Sequence, residues 1–147
     1  MYDQIARFYD LTHASLTADL PFVVQLAQQT GGPILELGCG SGRLLLPLAR
    51  TGHGVTGLDL SGVMLDRARV RLAQEAAAVQ QRISLHQADM TRFTLPGAPT
   101  FGLAMIPYNT LLHLDTTQAL AALRQVRGYL GENGRLFIDL DNPVDIA

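Results

Sequence analysis

Lysine is absent from this chain of 147 residues, cysteine occurs once, and neither a block of like charges nor a long apolar run interrupts it. Each gap closes off a class of function. Without lysine no Gly-Lys-Ser/Thr can follow a glycine loop, so a Walker-type phosphate loop is excluded. The single cysteine, Cys39, cannot close an internal disulfide. No apolar stretch approaches the roughly 20 residues of a membrane-spanning helix. The opening Met1-Tyr2-Asp3-Gln4 also lacks the basic and apolar regions of a secretory signal, so a cytoplasmic setting without a membrane partner is expected. With a net charge of −2 the chain offers no basic field for nucleic acid, which is not expected as a partner.

What remains is an ordinary globular composition, 48% hydrophobic and 16% charged, in a length that suits one domain over residues 1–147. Short apolar runs alternate with longer amphipathic ones, the pattern of strand-helix units around a parallel sheet. Strands are expected at Pro33 to Leu37, Gly54 to Asp59, Ile83 to Ala88, Phe101 to Ile106 and Arg135 to Leu140, each apolar on both faces. Leu20 to Gln29 reads as a helix leading into the first strand. Ser61 is placed to cap a helix with Leu65, Ala68, Leu72 and Ala76 on one face. Asp115 or Thr116 opens another in which Leu120, Leu123, Arg127 and Leu130 align, with Gly131 and Gly134 ending it. Pro96, Gly97 and Pro99 mark a surface loop.

The first strand runs straight into glycines at alternate positions, Ile34-Leu35-Glu36-Leu37-Gly38-Cys39-Gly40-Ser41-Gly42-Arg43, and then a helix. Such a loop turns tightly and lets a ligand approach the backbone, while the helix behind it presents unpaired N–H groups. In a parallel sheet, ligands sit at the carboxyl ends of the strands, and three of those ends carry or adjoin acids: Glu36, Asp59 and Asp89. A dinucleotide loop expects glycine at its sixth position, where this chain has Arg43. An anionic pyrophosphate also gains little from nearby carboxylates, whereas a cationic ligand gains from them.

On these residues the chain resembles the class I S-adenosylmethionine-dependent methyltransferases from Met1 to about Asp141. The resemblance implies a Rossmann-like α/β fold, doubly wound, with a mainly parallel sheet of about five strands and helices on both faces. It also implies S-adenosyl-L-methionine as cofactor, S-adenosyl-L-homocysteine as product, and no metal. Glu36 to Arg43 is similar to the loop that passes under the methionine part of the cofactor, so Glu36, Gly38, Cys39, Gly40 and Arg43 become cofactor candidates. Asp59 corresponds to the acid that binds both ribose hydroxyls. Asp89 and Met90 resemble the segment that reads adenine, against which Leu60, Met64 and Met90 offer apolar, polarisable surface. Pro107-Tyr108-Asn109-Thr110 followed by His113-Leu114 resembles the loop between cofactor and acceptor. Pro107 is placed there on the cofactor side, with Tyr108, Asn109 and His113 as catalytic candidates facing a small-molecule acceptor. Cys39 itself has no base positioned for it and reads as a small loop filler, not a nucleophile.

Residues 1–32 resemble a helical lid segment in which Tyr2 or Tyr9 folds over the cofactor, and 33–141 the strand-helix core. Complete members of the family add two strands after the fifth, so the chain is expected to be C-terminally truncated. Leu136, Phe137 and Ile138 would then lie in an edge strand, expected to be covered by a partner chain or by a second copy in a homodimer. Two other classes stay open: a non-catalytic S-adenosylmethionine-binding module and a dinucleotide-binding oxidoreductase.

Overall fold

A computed structural model describes residues 19–140. Tyr2, Tyr9 and the rest of the expected lid before Asp19, together with Asn142 to Ala147, lie outside the described residues. In chain order the elements are α1 (Leu20–Thr30), β1 (Ile34–Leu37), α2 (Leu45–Arg50), β2 (Val55–Asp59), α3 (Gly62–Ala73), α4 (Ala77–Gln80), β3 (Ile83–Gln87), β4 (Phe101–Ile106), a 3-10 turn (Thr110–His113), α5 (Thr116–Tyr129) and β5 (Leu130–Ile138). The sheet is parallel throughout, in the order β3-β2-β1-β4-β5. Chain direction across the sheet therefore reverses between β1 and β4, the place where such sheets open a crevice at their carboxyl ends.

Alternation along β1 distributes the core between the two faces. Ile34 joins one apolar cluster, with Val23 and Ala27 of α1, Leu45 and Leu48 of α2, and Leu65 of α3. Leu35 and Leu37 join the other, with Leu58, Ala104, Ile106 and Val126 of α5. Glu36, two residues beyond Ile34, therefore shares the α1–α2 face. Helix starts follow local chemistry. Ser61 sits in extended geometry and its Oγ accepts from the Met64 N–H (3.2 Å). Asp115, not Thr116, caps α5 in a full capping box, its carboxylate accepting from the Gln118 N–H (2.8 Å) while Gln118 Oε1 accepts from the Asp115 N–H (3.0 Å).

Four expectations need correction. β3 is not apolar on both faces: it is an outer strand with Ser84 and Gln87 exposed, and no residue of it is fully buried. β5, the other outer strand, is likewise partly exposed, and Leu136 lies open. Gly131 and Gly134 do not end a helix. α5 stops at Tyr129 and the strand begins at Leu130, pairing with Phe101, but the register then jumps so that Leu103 faces Arg135. The extra residues on β5 form an irregularity that contains both glycines, where close packing of backbone favours a missing Cβ. Third, the buried stripe of α5 is Ala122 and Val126, while Leu120 is 47% exposed and Arg127 lies in solvent. Fourth, Ala76 lies past the end of α3 and is exposed, leaving Met64, Leu65 and Ala68 as that helix's buried residues.

Gly102 shows how tightly the bottom of the sheet is built. Its N–H donates to Pro33 O (3.0 Å), and a Cβ there would lie 2.1 Å from the Gly31 carbonyl oxygen, a backbone atom that cannot step aside. We expect Gly102→Ala to destabilise the domain by about 1–3 kcal/mol, the usual cost of overpacking, measured as a lower urea midpoint. An unchanged midpoint would mean that the Gly31 turn gives way freely.

Candidate functional site

A cleft of about 420 Å³ opens at the carboxyl ends of β1, β2 and β3, within the size range of small-ligand sites. Its floor is the glycine loop. Gly38 has φ +71°, and a Cβ on it would lie 2.6 Å from Thr110 Cγ2. Glycine is thus required here both by the left-handed turn and by the close approach of the loop carrying Thr110. The Gly38 and Cys39 N–H groups both donate to Leu58 O (2.8 and 2.9 Å), which locks the start of the loop to the end of β2.

Asp59 closes β2 and organises the elements around it. Its Oδ2 accepts from the Gly40 N–H (2.8 Å) and its Oδ1 from the Ser61 N–H (2.9 Å), tying the loop to the start of α3. A carboxylate offers roughly four acceptor sites, more than these two bonds use. Asp89 lies across the cleft, two residues past β3. Its Oδ1 takes both the Thr91 N–H (2.9 Å) and the Thr91 hydroxyl (2.7 Å). These bonds hold its carboxyl below the usual aspartate range and both fall on Oδ1. The segment carrying Asp89 is fastened to α5: the Phe93 N–H donates to Gln125 Oε1 (3.2 Å), the Leu95 N–H donates to the Tyr129 hydroxyl (2.8 Å), and Phe93 stacks on Tyr129. Between the two acids lie buried Met64, the partly buried Met90, and Leu60, which is 70% exposed at the rim.

Of the residues singled out from sequence, Gly38, Gly40, Asp59, Leu60, Met64, Asp89, Met90 and His113 line this cleft. Glu36, Cys39, Arg43, Pro107 and Tyr108 instead surround a much smaller hollow on the far side of the loop, where only Gly38 is shared. Arg43 there makes a two-pronged ion pair with Asp19 (2.8 and 3.0 Å), and its guanidinium lies 3.6 Å from the centre of the Tyr108 ring. Asn109 lines neither space. It and Tyr108 adopt left-handed backbone (φ 56° and 52°), and the Asn109 N–H donates to Asp139 O (3.0 Å). Strain of this kind is held only where the surroundings impose it. The Tyr108 phenol is pushed above its usual range, chiefly by burial.

Glu36 is 1% exposed, and its Oε1 has no hydrogen-bond partner among the described residues. Burial pushes its carboxyl up to about 8; Arg43 opposes the shift, while Asp59 and Asp19 add to it. The Cys39 thiol, also buried, is pushed well up by the same desolvation, which leaves it inert as a nucleophile.

Sequence reasoning passed over Thr91 and Gln118 and quoted Thr110 and Leu114 only as part of the loop resemblance, yet all four line the cleft. Gln118 was legible in one respect. The Asp115-to-Gln118 spacing is a capping-box signature, and it places Gln118 in the first turn of α5, whose start borders the cleft. No group of His, Cys, Asp and Glu suited to a metal occurs among the described residues.

The donor set can be tested against a candidate ligand. Two carboxylates, a backbone loop, apolar walls and no arginine among the described lining residues suit a molecule that donates hydroxyl and amine hydrogens, carries a flat apolar ring and bears positive charge. S-adenosylmethionine meets each condition, and a pyrophosphate dinucleotide does not. Comparisons with known proteins agree. A family model described as a methyltransferase domain matches residues 34–134. The chain is 32% identical over 126 residues to a ubiquinone biosynthesis O-methyltransferase of Aromatoleum aromaticum, covering 85% of this chain and 51% of that protein. It is 31% identical over 94 residues to an rRNA adenine N-6-methyltransferase of Corynebacterium diphtheriae, covering 64% of this chain and 33% of that one. The crystal structure of the glycopeptide N-methyltransferase MtfA with S-adenosylmethionine superposes with a TM-score of 0.70 and 36% identity, over 78% of this chain and 50% of that chain. The chain spans 57–58% of the length of the curated relatives that match it almost end to end. Glycine loop, paired strand-end acids, strand order and these likenesses converge: the chain belongs to the class I S-adenosylmethionine-dependent methyltransferases.

Proposed function

We propose that this chain holds S-adenosylmethionine in the cleft between Asp59 and Asp89 and serves methyl transfer, by in-line displacement, to a small-molecule acceptor entering from the Thr110–Gln118 side. The observation that carries this reading is that acids from adjacent strands, Asp59 and Asp89, open onto one cleft floored by the glycine loop. Asp59 accepts from the ribose hydroxyls while holding the Gly40 and Ser61 amides. Asp89 Oδ2 accepts from the exocyclic amine, and Met64, Met90 and Leu60 pack on the adenine faces.

The bound cofactor supplies an activated methyl on a sulfonium, so the protein's task is mainly to position the partners and exclude water. Where the acceptor must lose a proton, His113 is the candidate base, because it lines the cleft. Tyr108 is the weaker choice, since its ring is engaged by Arg43 and its phenol is held protonated. Thr110 and the amide of Gln118, which line that side, suit a polar acceptor without negative charge.

Calorimetric titration with S-adenosylmethionine, S-adenosylhomocysteine and, as control, a nicotinamide dinucleotide tests the reading. Saturable binding of the first two alone is expected. Binding of the dinucleotide in their place would overturn it.

A further inference from the structure

The second half of the glycine loop is held from outside the cleft. Gly38, Gly40 and Gly42 all have positive φ (71°, 56° and 94°), so the loop loses more conformational freedom on ordering than a segment bearing side chains would. Its first half is pinned by the bonds to Leu58 O and Asp59. Beyond Gly40, the Gly42 N–H closes a turn onto Cys39 O (3.2 Å), which is internal to the loop. Arg71, in the last turn of α3 and 30 positions further on, reaches back to this segment. Its Nη1 donates to Ser41 O (3.1 Å) and lies 3.4 Å from Ser41 Oγ. Ser41 is 4% exposed, so the bond is sheltered from competing water. Arg71 does not line the cleft.

We propose that Arg71 is a positioning residue for the cofactor: by tying Ser41 to the end of α3 it keeps the Gly40–Gly42 backbone in its ligand-competent shape before the ligand arrives. The proposal rests on the S-adenosylmethionine reading of the cleft. Pre-organisation raises affinity by sparing the ligand the cost of ordering a loop, and a charged donor on a sheltered carbonyl is among the stronger neutral-acceptor bonds. Arg69, two positions earlier on the same helix, pairs at the exposed surface with Asp66, has no hydrogen bond to the glycine loop among the described residues, and serves as the internal control.

The test measures S-adenosylhomocysteine affinity by calorimetry, with the urea midpoint in parallel, for wild type, R71M, R71Q, R71K and R69M. Methionine and glutamine keep helical propensity close to that of arginine, so α3 should stay folded. The two remove the reach to Ser41 in different ways, and either one decides the matter if the other fails to unfold cooperatively. R71M and R71Q are expected to bind about tenfold more weakly, R71K to recover most of that loss through its single ammonium donor, and R69M to match wild type. Affinity within twofold of wild type in R71M or R71Q would overturn the proposal. So would a loss that R71K does not reduce, or a lowered urea midpoint with no loss of affinity. Failure of the wild-type chain to bind would instead overturn the cofactor reading itself.

Discussion

Asp59→Ala is expected to weaken S-adenosylmethionine binding by at least about a hundredfold, measured by the same calorimetric titration. Hydrogen bonds to a charged acceptor each contribute roughly 1.5–3 kcal/mol, and two ribose hydroxyls on one carboxylate therefore account for about 3–6 kcal/mol, or two to four decades of affinity. The substitution acts twice, because the Gly40 and Ser61 N–H groups lose their acceptor at the same time and the loop loses its tie to α3. Asp59→Asn separates the two effects. It keeps one carbonyl oxygen for a single partner and gives up both the charge and the second acceptor, so its affinity should fall between the other two. A urea midpoint confirms that each variant is folded. Wild-type affinity in a folded Asp59→Ala protein would remove the residue from the site.

Glu36→Gln should flatten the pH dependence of stability between about pH 5 and 8. In the folded chain the Glu36 carboxyl is raised from 4.5 to about 8, first by burial and then by the nearby Asp59 and Asp19, against the pull of Arg43. Between those two values the folded state keeps a proton that the unfolded chain has released. Stability from this group is therefore complete below pH 4.5 and declines as pH rises towards 8, by up to about 1.4 kcal/mol per pH unit. The isosteric amide cannot ionise and so removes that slope. Urea unfolding of both proteins at a series of pH values gives the comparison. Parallel curves would show that Glu36 titrates normally in the fold. Asp89, held low by Thr91, contributes in the opposite sense and only in acid, so it does not mask the effect.

Both predictions rest on residues that the sequence already marked, yet for different reasons. Asp59 was legible as a candidate ligand group because a strand end and the helix cap after it are local signals: Ser61 caps α3 where the pattern placed it, and the acid lies just before that cap. Glu36 was legible as an acid beside a glycine loop. Its burial and two of its charged neighbours, Asp19 and Asp59, come from other segments of the chain. Arg43 shows the limit more sharply. Adjacent in sequence to the loop, it is drawn to the other side of it by Asp19 and the Tyr108 ring, partners 24 positions before it and well beyond it in the chain.

The same division runs through the fold. Alternating apolar runs, cap residues and alternate glycines determined, by sequence alone, the strand-helix units, the glycine loop and the acids at the strand ends, because each depends on residues within one turn or one strand. Periodicity does not set the phase of a helical stripe or the exposure of a strand; the surface that the element meets does. Hence α5 buries Ala122 and Val126 while Leu120 stays open, and β3 and β5 remain half-exposed because nothing described pairs beyond them. Tertiary structure alone decided that Thr110 closes on Gly38, that Gln118 reaches the cleft and that Arg71 holds Ser41. Each of these contacts joins groups far apart in the chain, and only packing brings them within reach.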